Sequence, residues 1–118
     1  METSIEDRIY EAAESSRRFR APAFFLVLQA LQIAQTGRGS PGHVSGRQLL
    51  AAFREVVSRR FGPMSLTVLE HVGLCRTEDV GDLVFLMVEE GMLKKEDEDG
   101  PEDFRNVYDF AEAFRYDW

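Results

Sequence analysis

Apolar residues recur every three to four positions along most of the chain, and that period predicts helices. Ile5, Ile9, Ala12 and Ala13 share one side of a segment from Ser4 to Arg17, and Thr3 and Glu6 ahead of it have capping-box spacing. Pro22 suits the first turn of a second helix that runs to Thr36 and stops at Gly37. Phe24, Phe25, Val27, Leu28, Leu31 and Ile33 cover most of its circumference, leaving Gln29, Gln32 and Gln35 as one narrow polar stripe. A helix this apolar is expected at the centre of the core. Gly37 to Gly42 holds three glycines, a proline and a serine, the composition of a loop. Ser45 and Gln48 repeat the cap spacing and open a third helix over 46–61, whose core face is Leu49, Leu50, Phe53, Val56, Val57 and Phe61. Gly62-Pro63 ends it and starts a fourth over 63–71, with Gly73 suited to a left-handed stop. Thr77 is placed to cap a fifth over 78–90, striped by Val80, Leu83, Val84, Met87 and Val88 and closed by Gly91.

Beyond Gly91 the helical period fades. Met92 and Leu93 read as a brief strand, Lys94 to Asp103 as a charged turn, and Phe104, Val107 and Tyr108 as a return strand. Asp109 and Glu112 again have cap spacing, ahead of a short aromatic helix or tail. Three helices followed by a hairpin is the element order of a winged helix-turn-helix. The expected fold is therefore mainly α: one domain with an N-terminal helical pair (1–36), a winged-helix-like core (46–108) and an aromatic tail (109–118). A plain helical bundle, with 94–103 as a loop, is the alternative.

Composition narrows the class. The chain has 118 residues, 44% of them apolar and 30% charged, which is ordinary for one globular domain. The most apolar run, Pro22 to Ala34, is broken by Gln29 and Gln32 and is shorter than the roughly 20 residues a membrane span requires. Met1 to Arg8 mixes acids and bases and leads into no apolar stretch, unlike a signal peptide. Cys75 is the only cysteine, so no internal disulfide forms, and the expected location is a reducing cytoplasm. Net charge is −7 but unevenly spread. Residues 1–61 carry nine basic and six acidic side chains, net +3, and residues 62–118 carry five and fifteen, net −10.

The runs His43-Val44-Ser45-Gly46, Phe61-Gly62-Pro63-Met64, Thr77-Glu78-Asp79 with Val84-Phe85, and Asp103 to Phe110 resemble a small uncharacterised bacterial family restricted to planctomycetes, verrucomicrobia and relatives. The resemblance covers nearly the whole chain, less so residues 1–20. It implies a bacterial cytoplasmic origin and supplies no activity and no site.

Candidate chemistry is sparse. In a helix-turn-helix the fifth helix would face DNA, but its first turns offer Glu78, Asp79 and Asp82, and the wing would add Glu96 to Asp99. Carboxylates there meet phosphate with the wrong sign, so DNA binding through helix 78–90 is not expected. All basic residues before Lys94 except His43 and His71 are arginines; Arg47 and Arg54 lie two turns apart on one helix edge. Such arginines suit RNA or an acidic partner, or pair with the acidic second half of the same chain. Asp97 to Asp103 departs from a calcium loop, since Gly100 and Pro101 fall at the wrong places. Gly37 to His43 lacks the Gly-Lys-Ser/Thr of a phosphate loop. His43, His71 and Cys75 form no catalytic spacing, and no metal-binding cluster is present, so neither enzyme activity, cofactor nor metal is expected. Among the C-terminal aromatics, Phe110 and Phe114 have the i, i+4 spacing of a docked helix, while Tyr116 and Trp118 are candidate partner anchors. The expected function is a non-enzymatic protein-interaction module using Tyr116, Trp118, Arg47 and Arg54. The alternative is a nucleic-acid-binding or regulatory protein using the first-half arginines.

Overall fold

A computed structural model describes residues 4–37, 44–94 and 100–115. Its α-helices are α1 (Ile5–Ser16), α2 (Ala21–Gly37), α3 (Gly46–Phe61), α4 (Ser65–Val72), α5 (Thr77–Glu89) and α6 (Phe110–Ala113). A 3-10 turn at Gly62–Met64 joins α3 to α4, and a second, Pro101–Phe104, precedes α6.

The helix starts follow from side chains that satisfy otherwise unpaired backbone N–H groups. Ser4 caps α1 by accepting from the Asp7 N–H at 3.1 Å; Thr3 lies outside the described residues. Ser45 and Gln48 form the expected reciprocal box at the start of α3, with bonds of 3.1 and 2.8 Å. Asp109 caps α6 through the Glu112 N–H. The stops follow from left-handed residues. After α4 the Gly73 N–H donates to Glu70 O and the Leu74 N–H to Leu69 O; after α5 the Gly91 and Met92 N–H groups donate to Val88 and Met87. Both are Schellman arrangements, which reverse the chain and satisfy the last carbonyls.

The apolar helix α2 packs most extensively on α3 and also touches α1, α4 and α5. Phe24, Leu26, Val27 and Ala30 of α2 meet Leu50, Phe53 and Val57 of α3 in the core, which bears out the central place expected of α2. Phe61, expected in the core, is only half-buried. The three buried polar residues are all structural. The Ser65 hydroxyl donates to Gly62 O, Thr77 ties down residues 104–107, and Asp79 joins α5 to Arg18.

The mainly helical class and the helix order through α5 hold; the hairpin does not. Among the described residues there is no β-strand. Met92 and Leu93 do not form a strand because the Schellman turn at Gly91 has already folded the chain back. Phe104 and Val107 do not form a return strand because Pro101 opens a 3-10 turn that delivers Phe104 into a notch. The notch is floored by two helical glycines. A Cβ on Gly81 would lie 2.6 Å from Phe104 Cγ, and one on Gly46 3.1 Å from the same ring. Phe104 is 2% exposed there, with Phe85 edge-on to it. Residues 95–99 of the expected wing lie outside the described residues.

The end of the described chain is docked rather than free. Phe110 and Phe114 are buried and form a ring cluster with Phe53 and Tyr108, as their spacing predicts. Tyr116 and Trp118 lie outside the described residues.

Candidate functional site

Four elements leave a gap that their side chains do not fill. Leu31 comes from the C-terminal half of α2 and Leu49 from the first turns of α3. Val84 and Val88 come from the outer edge of α5, and Met92 is brought in by the Gly91 turn. Phe104 closes one wall. The result is a cleft of about 310 Å³ whose walls are mostly apolar. Among the described residues, polar side chains reach it only from Gln35, Ser45 and Lys94. Ser45 is already committed, since its hydroxyl accepts the Gln48 N–H. The volume is at the small end of the range for ligand pockets, about 300 to 1,000 Å³. This arrangement can bury a small apolar group beside one lysine.

The α5 stripe explains how the cleft arises. Val80, Leu83 and Met87 are fully buried, whereas Val84 and Val88, one helical step round, are only half-buried and face the gap. The apolar stripe expected of this helix contains all five. The width of the stripe was the available signal, because a helix with one buried face needs fewer apolar positions.

The other candidate residues disperse. Arg47 is exposed on α3. Arg54, on the same edge, lies over Tyr108, with its guanidinium carbon 5.9 Å from the ring centroid. The Tyr108 hydroxyl donates to Leu50 O at 2.7 Å. Burial pushes the Tyr108 pKa well above its ordinary value, and the Arg54 charge offsets only part of that. Arg54 therefore covers the aromatic cluster while remaining exposed, like Arg47, on one edge of α3.

Arg18 pairs with the acidic half of the chain. Its Nη2 lies 2.8 Å from Asp79 Oδ1 and 2.9 Å from Asp82 Oδ2. The other Asp79 oxygen accepts the Cys75 N–H at 2.8 Å. Burial works against the Arg18 charge, but its hydrogen bonds and attraction to Asp82 and Asp79 outweigh that and raise its pKa. Two of the acids placed at the head of α5 are thus structural. Elsewhere Arg8 donates to Glu90 O, Arg59 pairs with Glu55, and Arg60 donates to Gln29.

His71 ends α4 on the surface, as expected. Cys75 is exposed and not turned against the core, because Leu74 takes the buried position. Neither lines the apolar cleft, and His43 lies outside the described residues. Among the described residues no group of three His, Cys, Asp or Glu side chains could hold a metal ion, and no helix is long and apolar enough to cross a membrane. Comparison with protein-family models, with curated proteins and with solved structures finds no match to this chain.

Proposed function

We propose that the chain is a non-enzymatic protein-interaction module of the bacterial cytoplasm, built on a helix-turn-helix-like scaffold without a formed wing. The apolar cleft between α2, α3, α5 and Phe104 carries this reading. Its lining suits an apolar side chain or short apolar segment of another protein, and burial of that surface would drive association. The acidic second half, net −10, favours a partner with cationic residues around the inserted segment. The family resemblance agrees with a bacterial cytoplasmic setting.

The test compares the wild-type chain with Val88→Glu, which places a charge in the cleft wall. Each is immobilised and exposed to lysate of the native cell with and without nuclease treatment, with folding confirmed by circular dichroism. One dominant protein retained by the wild type and lost by the variant is the expected result. Equal retention by both would remove the cleft from the mechanism. Retention that disappears on nuclease treatment would favour the alternative, nucleic-acid contact through first-half arginines such as Arg47.

A further inference from the structure

The connection between α1 and α2 is Arg17-Arg18-Phe19-Arg20, and it is held tightly. Arg17 caps α1 in the left-handed region (φ 57°), with its N–H on Ala13 O. Arg18 is anchored to Asp79 and Asp82, and its guanidinium lies 4.7 Å from the centroid of the Phe19 ring. Phe19 itself is 3% exposed. The Arg20 N–H donates to Val72 O at 3.1 Å. Gly73 approaches so closely that a Cβ there would lie 2.2 Å from Arg18 O. Backbone contacts therefore clamp this connection to the end of α4.

The clamp does not use the Arg17 and Arg20 side chains. Both are exposed, and among the described residues neither pairs with a carboxylate. This sets them apart from Arg8, Arg18, Arg54, Arg59 and Arg60, each of which has a protein partner. Arg17, Arg20 and His71 line one open hollow of about 600 Å³, over accessible apolar groups of Ala13, Ala21 and Pro22. It lies at the α2 N-terminal end and shares no residue with the apolar cleft.

We propose that this hollow binds a phosphomonoester, with Arg17 and Arg20 holding the phosphoryl oxygens and the apolar floor carrying the organic body. Three points select that chemistry. Guanidinium forks match phosphoryl oxygens in paired hydrogen bonds. Glu14 also lines the hollow, so the two arginines leave a net +1 that attracts a dianion more strongly than a monoanion. A phosphomonoester carries about −1.5 to −2 near pH 7 and three acceptor oxygens, whereas a carboxylate carries a single charge. The net charge of −7 disfavours a long polyanion and leaves a small ligand as the fit. Solvated arginines beside a helix end would explain the same positions with no ligand, and binding separates the two cases.

The experiment titrates the full chain with phenyl phosphate, inorganic phosphate and benzoate, following backbone amide resonances. Phenyl phosphate is expected to move residues 17–21 and 71–72 saturably, and to bind about tenfold more tightly than benzoate. Arg20→Gln leaves the fold intact, because only the Arg20 backbone takes part in the clamp. It is expected to weaken phenyl phosphate several-fold. Adding Arg17→Asn, where asparagine tolerates the left-handed backbone, should weaken it by about tenfold or more. Absence of saturable shifts with phenyl phosphate overturns the site. So does unchanged affinity in Arg20→Gln and the double variant. Equal affinity for inorganic phosphate overturns the role given to the apolar floor.

Discussion

Gly81 sits within α5, where glycine costs a helix about 1 kcal/mol relative to alanine. Its position is explained by Phe104, whose ring occupies the place a Cβ would take. Gly81→Ala is therefore expected to destabilise the chain by about 1–3 kcal/mol, the usual range for overpacking, despite the better helix former. Chemical denaturation measures this, and a double-mutant cycle identifies its cause. In a Phe104→Ala background the same substitution should become neutral or stabilising, because the clash has gone. An equal loss in both backgrounds would point to some other contact. Tyr108 makes a second prediction at this scale. Its folded pKa is raised, chiefly by burial. Above the unfolded tyrosine pKa, about 10, the unfolded chain releases a proton that the folded chain retains. The contribution of Tyr108 to stability is thus complete below that pH and declines as pH rises towards the folded value. Tyr108→Phe should lose about 1 kcal/mol at neutral pH with the Leu50 hydrogen bond, and should show a shallower alkaline decline than wild type in urea denaturation.

At the scale of elements, the start of α5 shows how a correct boundary can conceal a different role. Thr77 was the expected cap, but it is the first residue of the helix, and the Arg76 side chain provides no cap. The Thr77 hydroxyl instead donates to Phe104 O at 2.7 Å and accepts from the Val107 N–H at 3.2 Å. It pins the segment after α5 onto the head of that helix. Thr77→Val keeps the shape and removes both bonds, leaving two backbone groups unsatisfied. It should cost about 1–3 kcal/mol and speed amide exchange over 104–110, while Thr77→Ser should stay near wild type. Uniform protection in Thr77→Val would deny that role. The contrast explains what was legible in the sequence. Caps, left-handed stops and apolar periods act within one helix, so α1 to α5 and the docking of Phe110 and Phe114 could be read locally. The segment 100–109 is fixed by groups about 20 to 60 residues away, Gly81, Thr77 and Leu50, and no local pattern encodes them. A strand was the wrong inference there because Phe104 fills the glycine notch and Tyr108 joins the aromatic cluster, each for its own tertiary reason. The cleft escaped notice for a related reason: Val84 and Val88 belong to the α5 stripe whether or not anything covers them. Arg17 and Arg20 were visible as basic residues, but their separation from Arg18 depends on which acids the fold brings near.

Across the molecule, Arg18 bridges the charge division between the halves by joining the α1–α2 connection to Asp79 and Asp82 on α5. Asp79 is nearly buried, whereas Arg18 and Asp82 are about half exposed, so the bridge lies between the weak surface case and the strong buried one. Arg18→Gln is expected to cost about 1 kcal/mol at low salt, discounted for that exposure. Its response to salt separates charge from packing. Repulsion within the acidic half acts over many ångströms and is screened as the Debye length falls from about 10 Å at 0.1 M to about 3 Å at 1 M. Both proteins should therefore gain stability as salt is added. The wild type should gain less, because the same screening weakens its attractive bridge. The difference between the two urea midpoints should accordingly narrow with salt. A difference that stays constant would mean that Arg18 acts through its contact with the Phe19 ring, and that the opposite charges of the two halves contribute nothing measurable to holding them together.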